Sequence, residues 1–368
     1  MSANASGGHL SAGGLSLVDL LSAFAYSCDL AFGLELEDGI VSCYVASRIA
    51  EEMGLSEEER SSVYYSAFLK HAGCTSYNSS LGDMFQGHDI EARRDLLIFG
   101  GGASFSNWVG WARRYLAAGR PLPVRIATAL KLLTQGEAFM HEGYVASVEV
   151  CSRIMQRIGL PQSVQEAGRN LYEQWDGKGE PEGRAGKDIP IAARVVAPTY
   201  AIVPIYRAAG RDAALSVARS ARGKEFDPDV VDALLRLASH DGFWEELDSE
   251  RIWELVRARE PNDRLAVMDE ARVEEIVLAF ADFIDLKSPY TAAHCRRVGR
   301  IAEQLAVLLG CDAAEVAAIR RAGLVHDLGL VGVSSFVINK ADAKLSAAER
   351  EQVRLHPYYG ERILERVP

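Results

Sequence analysis

The tightest constraint on the fold is that the chain repeats itself. Sliding the sequence by 256 positions, the separation of Phe280 from Phe24, lays Ala23-Phe24-Ala25 on Ala279-Phe280-Ala281 and Asp29-Leu30 on Asp285-Leu286. Ala46, Ala50, Gly54, Glu59 and Gly73 then fall on Ala302, Ala306, Gly310, Glu315 and Gly329 with no gap. Apolar positions correspond as well, Ile49 with Leu305 and Val63 with Ile319. The chain is expected to contain two copies of one structural unit.

The unit is helical. Val273, Ile276, Val277, Phe280 and Ile284 recur at steps of three and four, which is one face of a helix. Val298, Ile301, Leu305 and Leu308 repeat that spacing up to a C-terminal Gly310, and Val316, Ile319, Gly323 and Leu324 carry the next helix into His326. Strand-like alternation is nearly absent, so the expected fold class is all-α, built as tandem helical bundles. The expected organisation is a disordered tail over 1–14, a first domain over 15–240, a connector over 241–270 and a second domain over 271–368. Phe99-Gly100-Gly101-Gly102-Ala103 has no Gly-Lys-Ser or Gly-Lys-Thr after it, so it is expected to be a loop rather than a phosphate cradle. Residues 176–190, rich in Gly, Lys, Glu and Pro, are expected to be a surface loop.

Composition narrows the function classes. Forty basic against 51 acidic residues leave a net charge of −11, which argues against a nucleic-acid surface on this segment. The six cysteines form no C-x-x-C pair, so neither a zinc-thiolate site nor a disulfide framework is expected. No apolar run reaches the roughly 18 residues that a membrane helix needs. A soluble cytoplasmic protein is the expectation.

The chemistry concentrates at Leu324-Val325-His326-Asp327-Leu328-Gly329, where an apolar helix runs into a His-Asp pair and breaks at glycine. Imidazole nitrogen and carboxylate oxygen are both metal ligands, and a carboxylate can bridge two ions. The same dipeptide occurs at His88-Asp89 and His240-Asp241, where it is expected to be structural. What separates His326-Asp327 is its company. His294 opens the preceding helix and His356 precedes Pro357. The apolar face of the helix after His294 is expected to dock on the helix ending at His326, which would bring the histidines to one end of a bundle. Nitrogen and oxygen donors without sulfur fit Fe, Mn, Mg or Zn alike. In the first copy the register puts Asp38 at the place of His294, Lys70 at that of His326 and His71 at that of Asp327. An ammonium has no lone pair for a metal, so that copy is expected to bind none there.

His294, His326-Asp327-Leu328-Gly329, Lys340 and Leu355-His356-Pro357-Tyr358-Tyr359-Gly360-Glu361-Arg362-Ile363-Leu364 resemble the HD superfamily of metal-dependent phosphohydrolases, and more closely its HD-GYP branch. The resemblance implies a helical fold, two or three divalent ions and hydrolysis of cyclic di-GMP or a related cyclic dinucleotide. It implies that His294, His326, Asp327 and His356 are metal ligands, with Asp327 bridging at the catalytic centre. Leu330 stands where the family has a lysine and Tyr290 where it often has a glutamate, and the chain stops at Pro368, before the segment that would carry the GYP signature. In the first copy, Glu173-Gln174-Trp175-Asp176-Gly177-Lys178-Gly179-Glu180-Pro181 resembles that signature segment, with Leu171 and Tyr172 at its two histidine positions and Tyr200 at a later metal-binding aspartate.

Two functions follow from this resemblance. One is a metal-dependent phosphodiesterase acting on a cyclic dinucleotide. The other is a catalytically inactive regulatory module in which the first copy senses a ligand or forms a homodimer, with transcriptional control exerted through a region beyond residue 368.

Overall fold

Ser16 starts the first described helix: its hydroxyl accepts the Asp19 amide while the Asp19 carboxylate accepts the Ser16 amide, a reciprocal cap. The computed structural model describes residues 15–99, 105–261, 268–365 and 367. The expected tail over 1–14 and the Gly100–Gly102 run lie outside these. The order is α1 (Leu17–Phe32), α2 (Asp38–Glu52), α3 (Glu57–Phe68), α4 (Asn78–Phe85), α5 (Asp89–Phe99), α6 (Phe105–Tyr115), α7 (Leu122–Arg157), α8 (Gln162–Arg169), α9 (Ile191–Val196), α10 (Thr199–Ala221), α11 (Pro228–Ala238), α12 (Asp241–Leu247) and α13 (Ile252–Arg257). There follow α14 (Glu270–Asp285), α15 (His294–Leu308), α16 (Ala313–Val325), α17 (Ser335–Ile338), α18 (Ala347–Arg354) and α19 (His356–Leu364). Among the described residues there is no strand, only two isolated bridges, Asp176 with Ala185 and Arg222 with Phe226. The fold is all-α.

The repeat holds at the level of backbone devices. Asp29 accepts the Gly39 amide with both carboxylate oxygens, at 3.0 and 3.2 Å, and its counterpart Asp285 accepts the Cys295 amide at 3.3 and 3.2 Å. Glu37 and Ala293, paired by the same register, are both left-handed at φ 76° and 54°, just before α2 and α15. Ser56 with Glu59 caps α3 as Asp312 with Glu315 caps α16. The two units share one hydrophobic core: Phe24 of α1 stacks at 5.1 Å on its own counterpart Phe280 of α14 and at 4.7 Å on Phe283. A residue meeting its own counterpart is the mark of a two-fold relation. Phe243, Trp244, Ile252 and Val256, from α12 and α13, belong to this core, and α13 packs on α2.

One expectation is overturned. α15 does pack on α16, but not with its apolar stripe: Ile301 is 52% exposed, Leu305 54% and Leu308 82%. The seam is made by small residues instead. A Cβ on Gly323 would stand 2.9 Å from the Gly299 Cα, and one on Gly299 would stand 2.9 Å from the Leu324 side chain. Backbones this close turn the Gly299–Ala306 face inward and rotate the larger apolar residues away. In the first unit the counterparts Val45 and Ile49 are fully covered, because α10, α11 and α13 lie on α2.

Candidate functional site

Asp327 is the hub. It follows α16 and precedes a 3-10 turn, Leu328–Gly332, so its carboxylate leaves the helix at a break in the backbone. Its Oδ2 lies 3.3 Å from His294 Nε2 and 3.2 Å from His326 Nε2, and its Oδ1 lies 3.7 Å from His356 Nε2. The rings of His294 and His326 are 5.3 Å apart. All four candidates named from the sequence therefore meet, two imidazoles on one carboxylate oxygen and the third on the other.

Three backbone features set this geometry. The Asp285 carboxylate holds the first turn of α15 through the Cys295 amide, next to His294. His326 Nδ1 lies 3.0 Å from the Gly323 carbonyl and His356 Nδ1 lies 2.8 Å from that of Val353. A carbonyl only accepts, so Nδ1 carries the proton in each ring and Nε2 is left for a ligand. Gly329 permits the approach of α19: a Cβ there would stand 1.9 Å from the His356 carbonyl oxygen. Residue type alone marks neither Asp285 nor the Gly329 contact as a site feature; the signal for both is their recurrence at Asp29 and Gly73 in the other copy.

The electrostatics suit a cation. Burial acts to raise the Asp327 carboxyl, but the imidazoles of His326, His294 and His356 outweigh it and hold it below the usual carboxylate value. The hydrogen bond to Asp327 in turn raises the His326 imidazole above its ordinary value, against the effect of burial. The ligand atoms of His294, His326 and Asp327 lie within 4.8 Å of one another, a group able to hold a metal ion. Two donors each about 2.1 Å from one ion stand about 3.0 to 3.4 Å apart, which matches the His294 and His326 spacings to Asp327. The donor set thus fits a divalent ion.

The other conspicuous residues serve elsewhere. Lys340 pairs with Glu349 and stands 4.4 Å over the Phe336 ring. Tyr290 is 79% exposed. Asp89 of His88-Asp89 accepts the Ser334 hydroxyl and the Ser335 amide, and Asp241 of His240-Asp241 pairs with Arg211 at 2.9 Å.

In the first unit the corresponding positions also converge, with different chemistry. Lys70 Nζ lies 4.0 Å from Asp38 Oδ2, both 1% exposed, donates to Ser42 at 2.6 Å and the Thr199 carbonyl at 3.3 Å, and stands 5.0 Å over the Tyr200 ring. His71 lies between the Phe32 and Tyr200 rings, and burial, with Lys70 and Arg93 beside it, drives it to the neutral form. An ammonium here takes the place an ion would need. The counterpart of His356 is Ser147: Gly73 approaches the Ser147 carbonyl as Gly329 approaches that of His356, a Cβ there standing 1.7 Å away. The offset has dropped from 256 to 209, the difference between 356 and 147, because the first unit carries extra residues between α4, which the 256 register lays on α17, and Ser147.

Comparison with known proteins agrees with this geometry. Residues 117–230 and 291–368 each match an HD domain family. The chain is 28% identical over 348 residues, 95% of its length and 75% of the relative's, to the 3'3'-cGAMP-specific phosphodiesterase 3 of Vibrio cholerae. Over 71 residues, 18% of this chain and 19% of the relative, it is 42% identical to a cyclic di-GMP phosphodiesterase response regulator of Xanthomonas campestris. A crystal structure of a cyclic GMP-AMP specific phosphodiesterase of V. cholerae superposes with a TM-score of 0.71 at 26% identity, covering 96% of this chain and 80% of that one. With two HD domains in one helical chain, and a His-Asp hub in the second, this protein belongs to the HD superfamily of phosphohydrolases.

Proposed function

We propose that the chain is a metal-dependent phosphodiesterase of the HD-GYP-like branch, acting on a cyclic dinucleotide, with 3'3'-cGAMP ahead of cyclic di-GMP. The observation that carries this reading is the grouping of three imidazole Nε2 atoms around the single Asp327 carboxylate. His294, His326 and Asp327 Oδ2 would hold one ion, while Asp327 Oδ1 and His356 would face a second. A divalent ion held there supplies a water of lowered pKa and neutralises charge on the phosphoryl oxygens. The residues themselves do the orienting. The Gly323 and Val353 carbonyls fix the His326 and His356 rings, and Asp285 fixes the start of α15. A cation held there would take the place of the proton between His326 and Asp327. Hydrolysis adds water across one phosphodiester, breaking a P–O bond to give a linear dinucleotide. The cyclic GMP-AMP substrate is favoured because the relatives that match nearly the whole chain bear that name. His-Pro-x-x-Gly at 356–360 favours the HD-GYP-like branch. In this reading 15–240 is the first domain, 241–270 joins it to the second, and 271–368 carries the metal.

The second reading, a regulatory module without turnover, is favoured by Leu330 in place of the family's lysine and by the Lys70–Asp38 pair in the first unit. Metal analysis separates the site from the activity. Purified protein is expected to retain divalent metal that His326→Ala with Asp327→Ala loses; equal metal in both ends the proposal for this site. With Mn added, linear product from 3'3'-cGAMP supports the enzyme. Retained metal without product from either dinucleotide supports the regulator.

A further inference from the structure

The first unit has a cavity of about 490 Å³ where the second unit gathers its ligands, with Ser147, Tyr172 and Tyr200 in its wall. Ser147 is the counterpart of His356, and the two tyrosines stand where the family resemblance places a histidine and an aspartate. Metal chemistry has been replaced by ring faces. Tyr144 and Tyr172 are 4.9 Å apart and Tyr172 and Tyr200 are 5.7 Å apart, forming a continuous row, with Phe32 also in the wall. Aromatic faces in a cavity of this size suit a planar partner.

The same wall contains a cation. The Arg93 guanidinium lies 3.9 Å over the Phe32 ring. It donates to the carbonyls of Ala31 and Cys74 and to Asn78, but its Nε is buried with no hydrogen-bond partner, and among the described residues no carboxylate forms an ion pair with it. Of the three carboxylates in the wall, Glu173 accepts the amides of Glu182 and Arg184, Glu180 pairs with His141, and Glu225 is exposed to solvent. From the second unit, Lys287 brings another buried ammonium with no hydrogen-bond partner close enough to act on Arg93, and Asp89 offsets it in part. Asp89 is the carboxylate that acts on both cations, and it also accepts from Ser334 and Ser335. Two buried cations on one carboxylate leave a positive excess, which is costly and which an anion in the cavity would relieve.

We propose that this cavity binds a small planar aromatic anion, its ring among Tyr144, Tyr172 and Tyr200 and its acid group toward Arg93. The site binds without turnover, because Lys70 and Asp38 pair where ion ligands would stand. Titration calorimetry on the full chain tests this with 5'-GMP and indole-3-acetate, and with guanosine and indole as their neutral partners. The expected result is one site per chain, with at least one anion bound about tenfold or more tighter than its neutral partner. Binding by 5'-GMP alone assigns the anion to a phosphate, by indole-3-acetate alone to a carboxylate. Met140→Trp, at a partly exposed wall position, is expected to abolish binding, and Arg93→Lys to weaken it about tenfold. His326→Ala with Asp327→Ala is expected to leave it unchanged. Met140→Trp decides if Arg93→Lys fails to fold, since Arg93 also holds backbone carbonyls. The proposal is overturned by no saturable binding at millimolar concentration, by neutral probes binding as well as anions, or by binding that survives Met140→Trp and is lost with His326 and Asp327.

Discussion

Lys287 offers the sharpest test of the packing between the units. Its side chain is 2% exposed, and its ammonium finds no hydrogen-bond partner. Burial, opposed by Asp89 and aided by Arg93, lowers its pKa from 10.5 to about 8. At 1.36 kcal/mol per pH decade, that depression corresponds to about 3 kcal/mol of destabilisation at neutral pH, where the folded protein must hold the charge. Methionine keeps the length of the side chain without the charge. Lys287→Met is therefore expected to raise the free energy of unfolding by about 3 kcal/mol at pH 7, measured by urea denaturation. The pH dependence fixes the cause. The unfolded lysine stays protonated up to about 10.5 while the folded one loses its proton near 8, so the unfolded state binds more protons in that window and wild-type stability rises with pH through it. The variant lacks this rise, and its advantage should shrink from about 3 kcal/mol at pH 7 to about 2 at pH 9. An advantage that does not change with pH, or a variant less stable than wild type, would refute the unpaired buried ammonium.

Other expectations follow from single contacts. Gly329→Ala places a Cβ 1.9 Å from the His356 carbonyl, so α19 must shift. A loss of about 2 kcal/mol or more is expected, with His356 displaced and retained metal reduced; full metal content and unchanged stability would count against this close contact. Leu305→Ala, on the exposed stripe of α15, is expected to cost less than about 1 kcal/mol, whereas Ile49→Ala at the covered counterpart costs about 2–5 kcal/mol. Equal costs in thermal or urea unfolding would mean that the two faces are buried alike.

The sequence by itself determined the helical class, the register of the repeat and the identity of the metal-ligand candidates. Spacing of three and four residues marks a helix face whatever surrounds it, and the 256-residue register was borne out in devices as local as the Asp29 and Asp285 hydrogen bonds. His294, His326, Asp327 and His356 were legible as candidates because residue type and spacing made them able to ligate and the resemblance to the HD superfamily singled them out together. Tertiary structure decided what periodicity cannot express. A helix face that is apolar in sequence is not thereby covered: Ile301, Leu305 and Leu308 stay open because glycines set the α15–α16 seam, while Val45 and Ile49 lie under α10, α11 and α13. The Ser147 counterpart of His356 was hidden by the extra residues between α4 and Ser147, which break the register in sequence but not the approach of Gly73 to α7. The pairing of Lys70 with Asp38 likewise joins residues 32 apart in sequence that only packing brings within 4.0 Å. A ligand set is a property of residues, but a cavity is a property of what surrounds them.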